Sequence, residues 1–169
     1  MMYMADAVEI LMMEHQSIRH ISKYLKQDSP ANFMEFHDYL KSVHIEVEEK
    51  IVFPVIYENL PGTRVDVRRQ IDQIMADHKL IQTLAMNLEK WMEDQNNELV
   101  NERFPLYFRL LKDHNLNEDR IVFPWWKDIN GDAFRMVKKE IENIIDSFGR
   151  ERYLNIMEIS PEQLDYAIS

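Results

Sequence analysis

Two segments of the chain repeat one chemical pattern. Residues 44–54 read HIEVEEKIVFP and residues 114–124 read HNLNEDRIVFP. Six of the eleven positions are identical across an offset of 70 residues, and Glu49/Asp119 and Lys50/Arg120 preserve charge. Each copy opens with His-x-x-x-Glu, as His44/Glu48 and His114/Glu118. On an α-helix, residues i and i+4 lie about 40° apart and about 6 Å along the axis. Imidazole and carboxylate therefore reach toward one point. A weaker echo pairs Glu14-His15 with Asp77-His78, each followed by Ile three positions after the His. His15 falls on the face Val8, Leu11, Ile18, Ser22, Leu25, and His78 on the face Ile71, Ile74, Ile81, Ala85, Leu88. Both faces step by three or four, the helical period.

Four imidazoles and two carboxylates are thus directed into one interior. A buried carboxylate without a partner costs several kcal/mol or takes up a proton, and two facing each other cost more. Cations between them remove that cost. Two divalent or trivalent ions bridged by Glu48 and Glu118, each with two His nitrogens, suit the repeat. Oxygen and imidazole donors without sulfur favour iron or manganese over copper or structural zinc. The expected metal-ligating residues are His15, His44, Glu48, His78, His114 and Glu118.

The elements that must hold these groups are helices. With 169 residues, 3 Gly and 6 Pro, the chain has little turn material. Breaks fall at Ser29-Pro30, Pro61-Gly62-Thr63, Asp94 to Asn97, Asn130-Gly131 and Phe148-Gly149. The spacing predicts helices over 4–27, 31–59, 64–94 and 99–129, in an all-α, antiparallel up-down four-helix bundle. A short fifth helix is expected at 132–148, and a C-terminal tail over 150–169 that carries a Ser160-Pro161-Glu162 helix start and docks on the bundle or frays. Residues 1–149 would form the domain. Thr63 and Asp132 are candidate helix caps, and Pro105 should kink or begin the fourth helix. The repeat implies a pseudo-twofold axis relating helices 1 and 2 to helices 3 and 4.

Composition excludes several functions. Twenty basic against thirty acidic residues give a net charge of −10, unsuited to a nucleic-acid phosphate backbone. No Cys is present, so disulfides, thiolate nucleophiles and Cys-ligated metal clusters are excluded. The N-terminus lacks the basic start and uninterrupted apolar run of a secretory signal, and no run approaches the roughly 20 apolar residues of a membrane span. A soluble cytoplasmic protein is the expectation. The charge suits an electron-donor partner with a basic patch and serves solubility equally. The oligomeric state stays open, the fifth helix being suited to cover the bundle or form a dimer face.

The His in helices 1 and 3 (His15, His78) and the His-x-x-x-Glu in helices 2 and 4 resemble the hemerythrin-like, or HHE cation-binding, family. The trailing acids Glu49 and Asp119, and the prolines six residues after each Glu, fit the same pattern, over about residues 5–130. The resemblance implies a four-helix bundle with two non-haem iron ions, carboxylate bridges and an oxo or hydroxo bridge. It implies binding of O2, NO or peroxide; manganese and zinc are alternative metals. One position departs from the pattern. Oxygen-carrying hemerythrins supply a second His four residues after the first in helix 3, where this chain has Gln82; the repeat-related residue in helix 1 is Arg19. Each iron then has five ligands, leaving one open position on both. That favours reactivity or iron lability over plain O2 storage.

Candidates for a further ligand are His37, Tyr107 and His20. His37 lies seven residues before His44, about 10 Å up the axis, and Tyr107 is its repeat counterpart; a boundary position at the bundle end is the simpler reading. His20 sits about 140° from the metal face and should lie at the surface or against the fifth helix. Ile51, Ile121, Val47, Val55 and Trp125 are expected to wall the site from water. Three functions are compatible with these residues: a di-iron protein binding O2, NO or peroxide for sensing, storage or delivery; a di-iron enzyme reducing these molecules or releasing iron for repair of iron centres; and a metal-free structural bundle. The ligands and fold serve binding and catalysis alike.

Overall fold

The repeated prolines shape the two rods that carry the His-x-x-x-Glu motifs. The computed structural model describes residues 7–62, 64–128 and 132–168; side chains at 127, 128 and 132–136 lie outside that description. The expected caps Thr63 and Asp132, the Asn130-Gly131 turn and the helix start near residue 4 fall there too. All secondary structure among the described residues is helical. The first rod starts with α2 (Pro30–Tyr39) and continues through π-helical stretches at Leu40–Ile45 and Glu48–Val52 into α3 (Phe53–Asn59). The second starts with α5 (Asn97–Asn117) and passes through a π-helical stretch at Glu118–Val122 into a 3-10 turn at Phe123–Asp128. Pro54 and Pro124 cannot donate to the carbonyl four residues back and clash with it. Each rod therefore takes the wider π register in the five residues that begin with the repeated Glu, a distortion frequent at functional sites.

The other two rods are regular. α1 (Ala7–Ile21) buries Val8, Leu11, His15 and Ile18. It ends earlier than the expected residue 27. The Ser22 hydroxyl donates to the Arg19 carbonyl at 2.8 Å, a back-bond that competes with the helical ladder, and the next turns close at three-residue spacing. α4 (Val65–Glu93) buries Ile71, Ile74, His78, Ile81, Ala85 and Leu88, the whole predicted face. Each buried Ile or Leu contributes about 1.5–3 kcal/mol. α5 starts at Asn97, where the Asn96 side chain accepts from the Leu99 amide at 3.3 Å. It runs on through Pro105, so that proline neither starts nor ends the element.

α4 packs along α5, and α2 packs on α4. Beyond the rods, α6 (Asp132–Phe148) lies on α1 and on the 40–45 stretch. The C-terminal segment docks rather than frays. α7 (Arg150–Met157) and α8 (Pro161–Ile168) contact α1 and bury Tyr153, Met157, Leu164 and Ala167. α8 begins with a capping box, in which the Ser160 hydroxyl accepts from the Gln163 amide at 3.1 Å and Gln163 Oε1 accepts from the Ser160 amide at 2.7 Å. The core is continuous and rich in aromatics: Tyr107 meets Phe33, Phe108 and His37 edge to face, Phe104 meets Phe108 in the same way, and Phe33 stacks on His37.

Candidate metal centre

Six side chains meet at the middle of the molecule. His15 comes from α1, His44 and Glu48 from the first π-bearing rod, His78 from α4, and His114 and Glu118 from the second. All six are buried, with at most 3% exposure. They form two sets, His15/His44/Glu48/Glu118 and His78/His114/Glu48/Glu118, and within each set one ligand atom per residue lies within 4.8 Å of every other. Glu48 and Glu118 belong to both. The Glu48 oxygens divide between the sets: Oε1 contacts His44 Nε2, while Oε2 lies 3.2 Å from His78 Nε2. Glu118 Oε1 lies 2.7 Å from His114 Nε2 and 3.7 Å from His15 Nε2.

The imidazoles are aimed from behind by carboxylates. His15 Nδ1 lies 2.8 Å from Asp119 Oδ1, His44 Nδ1 3.0 Å from Glu14 Oε1, and His78 Nδ1 2.8 Å from Glu49 Oε1. Asp77 Oδ2 stands 3.7 Å from His114 Nδ1. The pattern is reciprocal: the acid after each repeated Glu holds the His of the opposite half, and the acid before His15 or His78 faces the His of its own half. Such outer carboxylates fix the ring tautomer and raise ligand basicity. Phe123 stacks on His15 at 5.5 Å and Phe53 on His78 at 6.2 Å, holding the rings from the side.

With Nδ1–H donated outward at His15, His44 and His78, the Nε2 of each presents a lone pair inward. His15 Nε2 and His44 Nε2 are 3.1 Å apart, and His78 Nε2 and His114 Nε2 are 2.9 Å apart. Two lone pairs at that distance repel unless a proton or a cation lies between them. Two imidazole nitrogens about 2.1 Å from one ion at right angles are about 3 Å apart. All four oxygens of Glu48 and Glu118 are buried with no hydrogen-bond donor in good geometry. Orphaned carboxylate oxygens and paired imidazole nitrogens are what two cations would satisfy, so the residues fit a dinuclear group.

Electrostatics point the same way. Burial pushes the Glu118 carboxyl well above the carboxylate range, and the charge of Glu48 adds to the shift. Burial acts on Glu48 in the same direction, but the facing His44 overcomes it and holds Glu48 low. Burial also opposes charge on His44 and His78; Glu48 with Glu14, and Glu48 with Glu49, outweigh it and raise both imidazoles. Protons thus do the work of balancing charge that metal ions would do.

The remaining candidates lie elsewhere. His37 and its repeat counterpart Tyr107 meet each other, His37 Nδ1 to Tyr107 Oη at 2.8 Å, both buried, and neither belongs to a ligand set. His20 is exposed and pairs with Glu158 at 3.3 Å, just past α7 rather than on the fifth helix. Arg19 leans toward Asp119 at 3.7 Å, and Gln82 is half-buried outside both sets. Val47 and Ile51 are buried as expected of a wall, and Val55 and Trp125 are half-buried. Ile121 is 37% exposed, contrary to the expectation. Both rods share the π register and both bury the two residues that follow, Val52 and Phe53 in the first and Val122 and Phe123 in the second, while Ile51 stays buried and its counterpart Ile121 does not. Glu14, Asp77, Glu49 and Asp119 were visible as repeated acids beside the ligands, without a role. Tyr39 and Tyr153, whose hydroxyls donate to Glu14 at 2.7 and 2.9 Å, carried no signal in the spacing.

No described helix is long and apolar enough to cross a membrane. The family model of the hemerythrin HHE cation binding domain matches residues 6–126. No curated protein and no solved structure matches the chain.

Proposed function

The chain belongs to the hemerythrin HHE cation-binding domain family, and from that premise we propose that it is a non-haem di-iron protein binding O2, NO or peroxide, for sensing, storage or delivery. The observation that carries this reading is the sharing of Glu48 and Glu118 between two sets, each with its own pair of converging imidazoles. The rods are read as an antiparallel up-down four-helix bundle. His15 and His44 would hold one ion and His78 and His114 the other, with Glu48 and Glu118 bridging. When bound, two irons would supply electrons and open coordination positions to a small ligand. The chain itself supplies fixed donors, oriented by Asp119, Glu14 and Glu49. It also supplies a dry apolar surround of Val47, Ile51, Phe53 and Phe123 that excludes water from the reduced ions.

A second reading is favoured by Gln82 and Arg19, which stand outside both sets where a further His would complete the coordination. Ions less fully held suit an enzyme that reduces these ligands, or one that releases iron. A cytoplasmic setting and an electron donor with a basic patch belong to both readings. Anaerobic reduction followed by O2 or NO exposure, watched in the absorption spectrum, tests the choice. Bands that cycle reversibly support binding, whereas steady consumption of reductant supports the enzyme.

A further inference from the structure

The two halves of the centre share ligands but not support. Behind His44 stands Glu14, fully buried, with three hydrogen bonds spread over both oxygens: Oε1 accepts from His44 Nδ1 at 3.0 Å and from Tyr39 at 2.7 Å, and Oε2 accepts from Tyr153 at 2.9 Å. Tyr39 and Tyr153 are themselves fully buried, their rings 5.9 Å apart. Tyr153 belongs to α7, outside residues 6–126 that match the family. Behind His114 the arrangement is looser. Asp77 lies 3.7 Å away, beyond hydrogen-bond reach, and its side chain is 29% exposed. Its other oxygen accepts from Gln73 at 3.1 Å. His114 Nδ1 is buried with no hydrogen bond. The repeat counterpart of Tyr39 is Arg109, an exposed residue, and no described tyrosine bonds Asp77.

We propose that helix α7 completes the metal centre by clamping Glu14, making the two metal positions unequal: the ion at His15/His44 is retained and the ion at His78/His114 is exchangeable. This rests on the dinuclear reading above. A carboxylate held by three donors in a dry site has no freedom to turn, so His44 Nε2 stays aimed inward when the ion departs. An imidazole without an anchor at Nδ1 can rotate or take the other tautomer, which loosens its hold. Outer partners of this kind change metal affinity by roughly 10- to 100-fold. Tyr39 and Tyr153 are positioning residues; they touch no ligand atom directed at the ions.

The test loads the full chain anaerobically with ferrous iron and follows release into excess chelator. The wild type should release one ion in a fast phase and one in a slow phase. Tyr153→Phe and Tyr39→Phe, with unchanged helicity, should speed the slow phase by about tenfold or more and leave the fast phase as it was. Asp77→Asn should leave both phases as they were, since Asp77 does not bond His114. A merely structural tyrosine would move both phases together, and that result overturns the proposal. So does a single phase in the wild type, or a slow phase indifferent to both substitutions. Failure of the wild type to bind any iron would overturn the dinuclear reading itself, which separates the two failures.

Discussion

Glu118 and His37 place opposite demands on pH. Burial and the charge of Glu48 raise the Glu118 carboxyl above its unfolded value. In the metal-free protein the unfolded chain therefore releases that proton first, and stability falls as pH rises from about 4.5 toward the folded value. Glu118→Gln should abolish metal binding yet leave the metal-free protein at least as stable as the wild type at pH 7, because it removes a buried ionisable group. Denaturant melts with and without metal check this; a large loss in the metal-free variant would contradict it. Burial, with Lys41 adding, lowers His37 to about 4. Its neutral form is favoured in the fold, so its contribution is complete above pH 6.5 and is lost as pH falls toward 4, up to about 3 kcal/mol. His37→Gln should flatten the stability profile in that window, and an unchanged slope there would show that His37 does not titrate with unfolding. His20 is exposed on Glu158, so His20→Ala should leave metal content as it is; metal lost in that variant would place His20 at the centre.

At the scale of elements, the connection into α7 is one that calls for glycine. Gly149 has φ +118°, and a Cβ there would meet the Arg152 side chain at 3.3 Å. Gly149→Ala should cost about 1–3 kcal/mol, read as a lower Tm, and an unchanged Tm would mean that this turn relaxes freely. The four rods and the six converging side chains were legible because helical period and a 70-residue repeat both act through regular spacing. What regular spacing could not convey was the π register. Pro54 and Pro124 signal a disturbance, but which residues are buried beyond it, Val52 and Phe53 in one rod and Val122 and Phe123 in the other, depends on how the backbone absorbs it. The early end of α1 depends on one serine back-bond, which many serines do not make. Tyr153 reaches Glu14 across 139 residues, a contact that no local pattern encodes.

For the whole molecule, the centre concentrates unfavourable groups that only cations satisfy well: facing imidazole nitrogens, four orphaned carboxylate oxygens and a carboxyl that resists ionising. Metal binding is therefore coupled to proton release and to folding. His44 and His78 hold protons more tightly than free imidazole, so loading at pH 7 should release protons, and affinity should fall as pH is lowered. Saturating metal at a thousand times its Kd would add about 4 kcal/mol to stability. The central claim is that the chain holds a carboxylate-bridged pair of ions, and metal content with the absorption spectrum of the purified chain tests it most directly. The account predicts about two irons per chain with oxo-bridge bands, lost in His44→Ala and Glu118→Ala. Little metal, with no uptake on adding ferrous iron, or unchanged metal content in both variants, would contradict it.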